Sequence, residues 1–286
     1  MSEQKMRFEQ ADGILDLRDE IAYQTAHLLG ATWLSWDDLP ESLAMLPAAP
    51  AQFFLVGSKA QIDAASIFLD LKEYQVTGSL VVELDQSMAL WDAQLPGLVV
   101  SGNDSKVLWS PNELVVRWLS KLEFDPKALK PRPLALDLGC GAGRDAVFLA
   151  QKGFVVDAID SEARTLKRAK QLAARSRTQV RFKCCDLKNT ECFPDQMYDV
   201  ILMVRYLNRD LFDAIKQHVK PGGYVLIHTF SEGVEEFKSP KNPNFILQHG
   251  ELRQIFAGFT ILVDNTTYLN DGRPMNAFIA QKPLIE

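Results

Sequence analysis

The sequence predicts an α/β protein in which a doubly wound, mainly parallel sheet over residues 131–286 follows a smaller α/β domain over residues 1–100, with a connecting helix and linker over residues 101–130. Three observations carry this expectation. Short β-rich runs alternate with helical patterns through the second half, a stretch with three prolines (EFDPKALKPRP, 123–133) separates the halves, and a glycine-rich loop follows the first strand beyond it. At 286 residues the chain also exceeds one ordinary domain of roughly 100–200 residues.

In the first half the elements are a strand at ILDL, a helix over 22–29, a strand at QFFLV, a helix over 61–72 and a strand at SLVVEL. A helix over 111–122 follows, where Ser110 as N-cap, Pro111 at the first helical position and Glu113 three residues after the cap form a strong start. Beyond the prolines come LALDL, a helix over 145–152, FVVDAI, a helix over 162–175, VRFKC and DVILMV. A helix over 210–218, the turn Pro221-Gly222-Gly223, the strand YVLIHTF, a helix over 250–256 and the strands FTILVD and NAFIAQ complete the order. Alternating strands and helices imply right-handed crossovers and a parallel sheet.

Composition bounds the function. Hydrophobic residues at 47% and charged residues at 24% suit packed cores, and a net charge of -6 opposes a nucleic-acid binder, which normally needs surplus Lys and Arg. The start MSEQKMRF lacks the apolar stretch of a leader, and no apolar run reaches the roughly 20 residues that span a bilayer, so no membrane partner and a cytoplasmic location are expected. The four cysteines, Cys140, Cys184, Cys185 and Cys192, have neither disulfide-framework nor zinc spacing. They are expected as reduced structural thiols, and no metal site is expected.

The strongest constellation is Asp137-Leu138-Gly139-Cys140-Gly141-Ala142-Gly143 between a strand and a helix, where glycines let backbone N–H groups approach a ligand. A nicotinamide fingerprint would need a small residue at position 144, and the chain has Arg144. With Asp137 before it, the loop instead resembles the first motif of class I S-adenosylmethionine (SAM)-dependent methyltransferases, a Rossmann-like family. The resemblance covers about residues 134–283 and implies SAM as cofactor, held by Asp137, Gly139, Cys140, Gly141 and Gly143. It places Asp160, at the end of the second strand, on the ribose hydroxyls, Asp186 and Leu187 beside the adenine, and Met203 at the end of strand four. Within the family, GRDAVFLA and the HTF, KNPN and DGRP segments look most like small-molecule enzymes of the tellurite-resistance and thiopurine type.

Ligands of such sheets bind beyond the carboxyl ends of the strands. There Arg205 could bind an anionic acceptor, Tyr206 could orient it and His228 could remove its proton, and these three are the expected catalytic residues. Asn242-Pro243-Asn244-Phe245 is expected in a lid loop, and the helix after Trp109 is expected to cover the cofactor.

Residues 15–31 resemble the opening of rhodanese domains: a strand, an Arg-acid pair, an aromatic, then His and Gly-Ala, with Asp37-Asp38-Leu39-Pro40 continuing it. The loop that carries the sulfurtransferase cysteine reads Gly57-Ser58-Lys59-Ala60-Gln61 here, and no cysteine precedes Cys140, so a persulfide is impossible and a structural or docking role is implied. The expected function is methyl transfer to a small-molecule nucleophile. The alternative is a SAM-binding regulatory or scaffold protein without transfer activity.

Overall fold

A computed structural model of the chain describes residues 10–82, 95–123 and 125–284. The reading of the polar start at residues 1–9, and the ends of SLVVEL and of the rhodanese-like stretch, lie outside them. The chain divides into two compact units, Met1–Ser110 and Pro111–Glu286.

The first unit contains β1 (Gly13–Asp16), α1 (Glu20–Thr25), β2 (His27–Leu28), β3 (Ala31–Trp33), β4 (Gln52–Gly57), α2 (Lys59–Asp70), β5 (Gln75–Val81) and β6 (Val99–Val100). Its sheet has the order β3-β1-β4-β5, and every described pairing in it is parallel. Alternation along β4 sends Phe53 and Leu55 to the face covered by Ile62, Ala65 and Leu69 of α2, and Phe54 and Val56 to the opposite core. Ser58 and Gln61 close a reciprocal capping box at the start of α2. The helix expected over 22–29 is shorter and earlier. Asp19 accepts from the Ala22 N–H and starts it at Glu20, while Ala26 turns extended so that His27 and Leu28 pair with Val99 and Val100.

The second unit opens with α3 (Glu113–Leu119) and continues β7 (Leu134–Leu138), α4 (Arg144–Gln151), β8 (Val155–Asp160), α5 (Ala163–Arg175), β9 (Arg181–Cys184) and β10 (Tyr198–Val204). It ends with α6 (Phe212–His218), β11 (Val219–Phe230), α7 (Glu251–Ile255), β12 (Thr260–Tyr268) and β13 (Pro274–Gln281). The seven strands run β12-β13-β11-β10-β7-β8-β9, parallel except that β13 is antiparallel to both neighbours. Strand alternation builds two cores. Val200 and Leu202 share one with Leu114 and Trp118 of α3 and Leu149 of α4, while Ile201 and Met203 share the other with Phe212 and Ile215 of α6. Helices therefore cover both faces, which leaves the strand ends as the open edge of the sheet. No described helix is long and apolar enough to cross a membrane.

Two expectations need correction here. The cap of α3 is Asn112 rather than Ser110: its Oδ1 accepts from the Leu114 N–H at 2.9 Å, and Asn caps as well as Ser. Nor are all four cysteines reduced, because Cys185 and Cys192 form a disulfide. Residues 190–192 turn back in a 3₁₀ helix toward the end of β9, and Lys183 Nζ also binds the Glu191 and Cys192 carbonyls there. Cys184, one residue on, points the other way and is exposed.

Candidate active site

The strand order switches between β7 and β10, the place where sheets of this kind bind ligands beyond the carboxyl ends of their strands, and the glycine loop between β7 and α4 lies there. The Gly139 and Cys140 N–H groups both donate to the Ile159 carbonyl at 2.9 Å, which ties the loop to the end of β8. Asp160 closes the tie from the other side. One carboxylate oxygen accepts from the Gly141 N–H at 2.8 Å and the other from the Glu162 N–H at 2.9 Å. An ionised carboxylate has about four lone-pair positions, so two stay available for hydroxyl donors.

Two glycines are required for different reasons. A Cβ on Gly139, whose φ is +71, would stand 2.5 Å from Cγ of Tyr206, whereas Gly141, at φ +53, has nothing within 4 Å of that position and leaves the loop open to a ligand. Asp137 is 2% exposed and one of its oxygens, Oδ2, has no hydrogen-bond partner. Burial, with Asp145 and Asp160 nearby, pushes its carboxyl well above the usual range. The same burial, with Asp137 and Asp160, raises the Cys140 thiol, so this half-buried cysteine is an inert thiol.

Asp186 is exposed just past the end of β9, where it accepts from the Lys188 N–H at 3.0 Å, and the Cys185 N–H donates to the Asp160 carbonyl at 2.9 Å. Leu187 is 5% exposed. Tyr206 is half-buried over Gly139, and its phenol is raised by burial, with Asp186 and Asp160 adding to the shift. Arg205, beside it, is exposed and adopts φ +52, with its N–H on the His228 carbonyl at 2.8 Å. Its guanidinium makes no salt bridge or side-chain hydrogen bond among the described residues, though it stands near enough to Asp145 to favour that carboxylate's charge. A left-handed arginine costs about 1–2 kcal/mol, and such strain collects at functional sites.

Two expected site residues are placed otherwise. His228 is 3% exposed and both ring nitrogens are engaged, Nδ1 with Asn112 Oδ1 at 3.0 Å and Nε2 with Thr267 Oγ1 at 2.9 Å. Since Asn Oδ1 can only accept, Nδ1 carries the proton and the Thr267 hydroxyl donates to Nε2. Burial and Arg205 lower its pKa to about 4. A sealed imidazole with no free nitrogen is not positioned as a general base. Met203, 1% exposed, alternates with Leu202 into the α6-side core, so its side chain is a packing group rather than a cofactor contact.

The structure also brings in residues that sequence reasoning did not place in the site. Asp145, in the first turn of α4, accepts from the Asn112 N–H at 2.6 Å, and burial raises its pKa despite that bond and the nearby Arg144 and Arg205. Its place directly behind the glycine loop was a usable indication. Arg209 grips the segment that holds 242–245, donating to both Glu251 oxygens at 2.6 and 2.9 Å and to the Asn244 and Ile246 carbonyls.

A doubly wound sheet with a glycine loop after its first strand and an acid closing the second fits a methyltransferase domain in the second unit, and with the matches that follow the protein is a SAM-dependent methyltransferase. Residues 135–223 match the family described as "Methyltransferase domain". An uncharacterised protein of Schizosaccharomyces pombe is 23% identical across 94% of this chain and 93% of its own length. A ubiquinone biosynthesis O-methyltransferase of Rickettsia akari is 28% identical over 40% of this chain and 43% of its own, and phosphoethanolamine N-methyltransferase 1 of Zea mays 32% identical over 41% and 23%. The chain thus spans less than half of these two methyltransferases. Among solved structures, TehB from Haemophilus influenzae aligns with a TM-score of 0.49 and 19% identity over 60% of this chain and 62% of that one.

Proposed function

We propose that the second unit methylates a small nucleophile that is bound and reacts as an anion, and the observation that carries this reading is Arg205. Its guanidinium makes no salt bridge or side-chain hydrogen bond among the described residues, it is exposed at the strand end, and its backbone, at φ +52, donates its N–H to the His228 carbonyl. A planar cation with free donors suits a carboxylate, thiolate or oxyanion. With the imidazole of His228 sealed, the acceptor is one that needs no proton removed by it. The tellurite- and thiopurine-type resemblance of the sequence fits an acceptor of this kind, and a cytoplasmic location belongs to the same proposal.

The residues fit the cofactor. Bound SAM supplies a methyl on a sulfonium, already activated for displacement. Asp160 would accept the ribose hydroxyls with its two remaining positions, Asp137 would offer its unpartnered oxygen to the cationic end, and Gly139, Gly141 and Gly143, with the Cys140 backbone, would form the floor. Asp186 and the Leu187 backbone would flank the base. Tyr206, with its phenol kept neutral, would orient the acceptor, and positioning of this kind is most of what an activated methyl group requires.

Turnover of SAM to S-adenosylhomocysteine (SAH) with a panel of thiols, oxyanions, carboxylates and amines tests the reading. Thiols or oxyanions should react, and Arg205→Gln should raise KM for the acceptor at least about tenfold while leaving KM for SAM unchanged. Turnover confined to amines, or an unaltered acceptor KM, would sink it. We also infer that the first unit is a rhodanese-like module without sulfurtransferase chemistry. Supporting this are its parallel sheet and the loop after β4, which is closed by Ser58 and Gln61 and lacks a thiol. Thiocyanate formation from thiosulfate and cyanide by the full chain should stay at background.

A further inference from the structure

Asn112 occupies a junction that neither the cofactor residues nor Arg205 accounts for. Its backbone N–H donates to Asp145 Oδ1 at 2.6 Å, and its side-chain oxygen accepts both from the Leu114 N–H at 2.9 Å and from His228 Nδ1–H at 3.0 Å. Each partner belongs to a different part of the site. Asp145 is in the first turn of α4, directly behind the glycine loop. His228 lies near the end of β11, with its carbonyl fixing the left-handed backbone of Arg205 and its Nε2 fixed in turn by Thr267 of β12. One residue, through its backbone N–H and its side-chain oxygen, therefore joins α3 to the loop helix and to the strand end that carries Arg205, and His228 extends the link to the antiparallel edge.

His228 is 3% exposed, whereas Asn112, Asp145 and Thr267 are half-buried, so a broken bond to the ring leaves a buried polar group without its partner, at a cost of about 1–3 kcal/mol. An N-cap by itself needs only the bond to Leu114. The other two bonds run to the cofactor side and the acceptor side of the site.

We propose that Asn112 is a positioning residue of the methyltransferase site: acting through Asp145 and His228, it sets the glycine-loop helix at a fixed distance from the strand end that presents Arg205. The inference rests on the cofactor reading above. It explains why a histidine sits at the end of β11 without a free nitrogen. The ring is a spacer with a donor on one side and an acceptor on the other.

Amide replacements separate this role from mere packing. The Nδ2 of an Asn at position 228 falls near the place of histidine Nδ1, and the Nε2 of a Gln falls near histidine Nε2. His228→Asn therefore keeps the bond to Asn112 and loses the one to Thr267, while His228→Gln loses the bond to Asn112 and keeps a bond to Thr267 in which the amide N–H donates to the hydroxyl oxygen. SAH binding by calorimetry should weaken about tenfold, or 1.4 kcal/mol, in His228→Gln and stay within about threefold of wild type in His228→Asn. If the ring only filled space, the smaller Asn would be the worse replacement. Asn112→Ser, which keeps a good N-cap but shortens the reach to His228, should lose about tenfold in affinity, with a fall of the thermal midpoint similar to that of His228→Gln because each leaves one side of the same bond unpaired, and combining the two should add no further loss of affinity. Equal or greater loss in His228→Asn than in His228→Gln, wild-type affinity in Asn112→Ser, or losses that multiply in the double variant would each overturn the proposal. A wild-type protein that does not bind SAH would overturn the cofactor reading, and the positioning role with it.

Discussion

Asp160→Asn is a severe test of the site, because the carboxylate works with both oxygens even without ligand. They accept from Gly141 N–H at 2.8 Å and Glu162 N–H at 2.9 Å, and an amide can satisfy only one. The other N–H would face an NH2 group. A buried unsatisfied donor costs about 1–3 kcal/mol, and partial exposure of Asp160 brings this to about 1–2 kcal/mol, a fall of about 2–6 °C in the thermal midpoint. Ligand binding should suffer more, since the substitution also removes the charge from an acceptor assigned two hydroxyls. Hydrogen bonds to charged groups contribute about 1.5–3 kcal/mol, so SAH affinity should fall about 10- to 100-fold. Calorimetry and thermal melting on the same preparation measure both. SAH affinity within about twofold of wild type would refute the ribose assignment, and an unchanged midpoint would refute the strut between the loop and β8.

Gly143→Ala should destabilise the second unit by about 2–4 kcal/mol, because its φ is +77 and the new Cβ would lie 2.8 Å from Ala169 Cβ and 3.2 Å from the Phe182 ring; denaturant unfolding checks it. Thiol titration of the denatured, unreduced chain should find two thiols, Cys140 and Cys184, and four after reduction, whereas four without reductant would contradict the Cys185–Cys192 bond. His228 adds an acid-sensitive contribution. Its folded pKa of about 4 lies below the unfolded 6.5, so its stabilisation is complete above pH 6.5 and is lost as pH falls toward 4. The slope of stability against pH in that window should flatten in His228→Gln.

Much of this was legible because local pattern and tertiary role coincide. LALDL and DVILMV read as strands of a parallel sheet, and they are, with buried side chains on both faces under helices on either side. The glycine loop was legible because close packing needs residue types that few other uses require. What was not legible depended on partners far along the chain. The polar histidine closing β11 looked like a base, and its seal comes from Asn112, 116 residues earlier, and from Thr267. The two-residue period puts the Met203 side chain on the same face as Ile201, in the core, which its place at the end of a strand does not by itself reveal. The Pro221-Gly222-Gly223 turn was read as preceding a strand at Tyr224, yet β11 begins at Val219, because Gly222 takes φ +77 and its N–H still reaches the Lys282 carbonyl at 2.9 Å. The Cys185–Cys192 bond depends on how the intervening turn folds back, which spacing alone does not reveal.

The acids around the glycine loop yield one more consequence. Burial pushes both the Asp137 and Asp145 carboxyls upward, and Asp137 is additionally opposed by Asp145 and Asp160. Asp145 has the Asn112 N–H on one oxygen, whereas Oδ2 of Asp137 has nothing. The free protein therefore holds a proton on Asp137 more tightly than an ordinary aspartate does. A cation brought to that oxygen favours the charged form and expels the proton, because opposite charges in a dry site interact far more strongly than in water. SAM affinity should accordingly rise with pH over the range in which free Asp137 titrates, above the ordinary aspartate value. Binding should release protons, seen in calorimetry as a heat that depends on the ionisation enthalpy of the buffer. Asp137→Asn removes the titrating group and should abolish both the proton release and that pH dependence. Proton release that persists undiminished in Asp137→Asn, or buffer-independent heats in the wild type across that range, would refute the assignment of the buried oxygen to the cationic end of the cofactor.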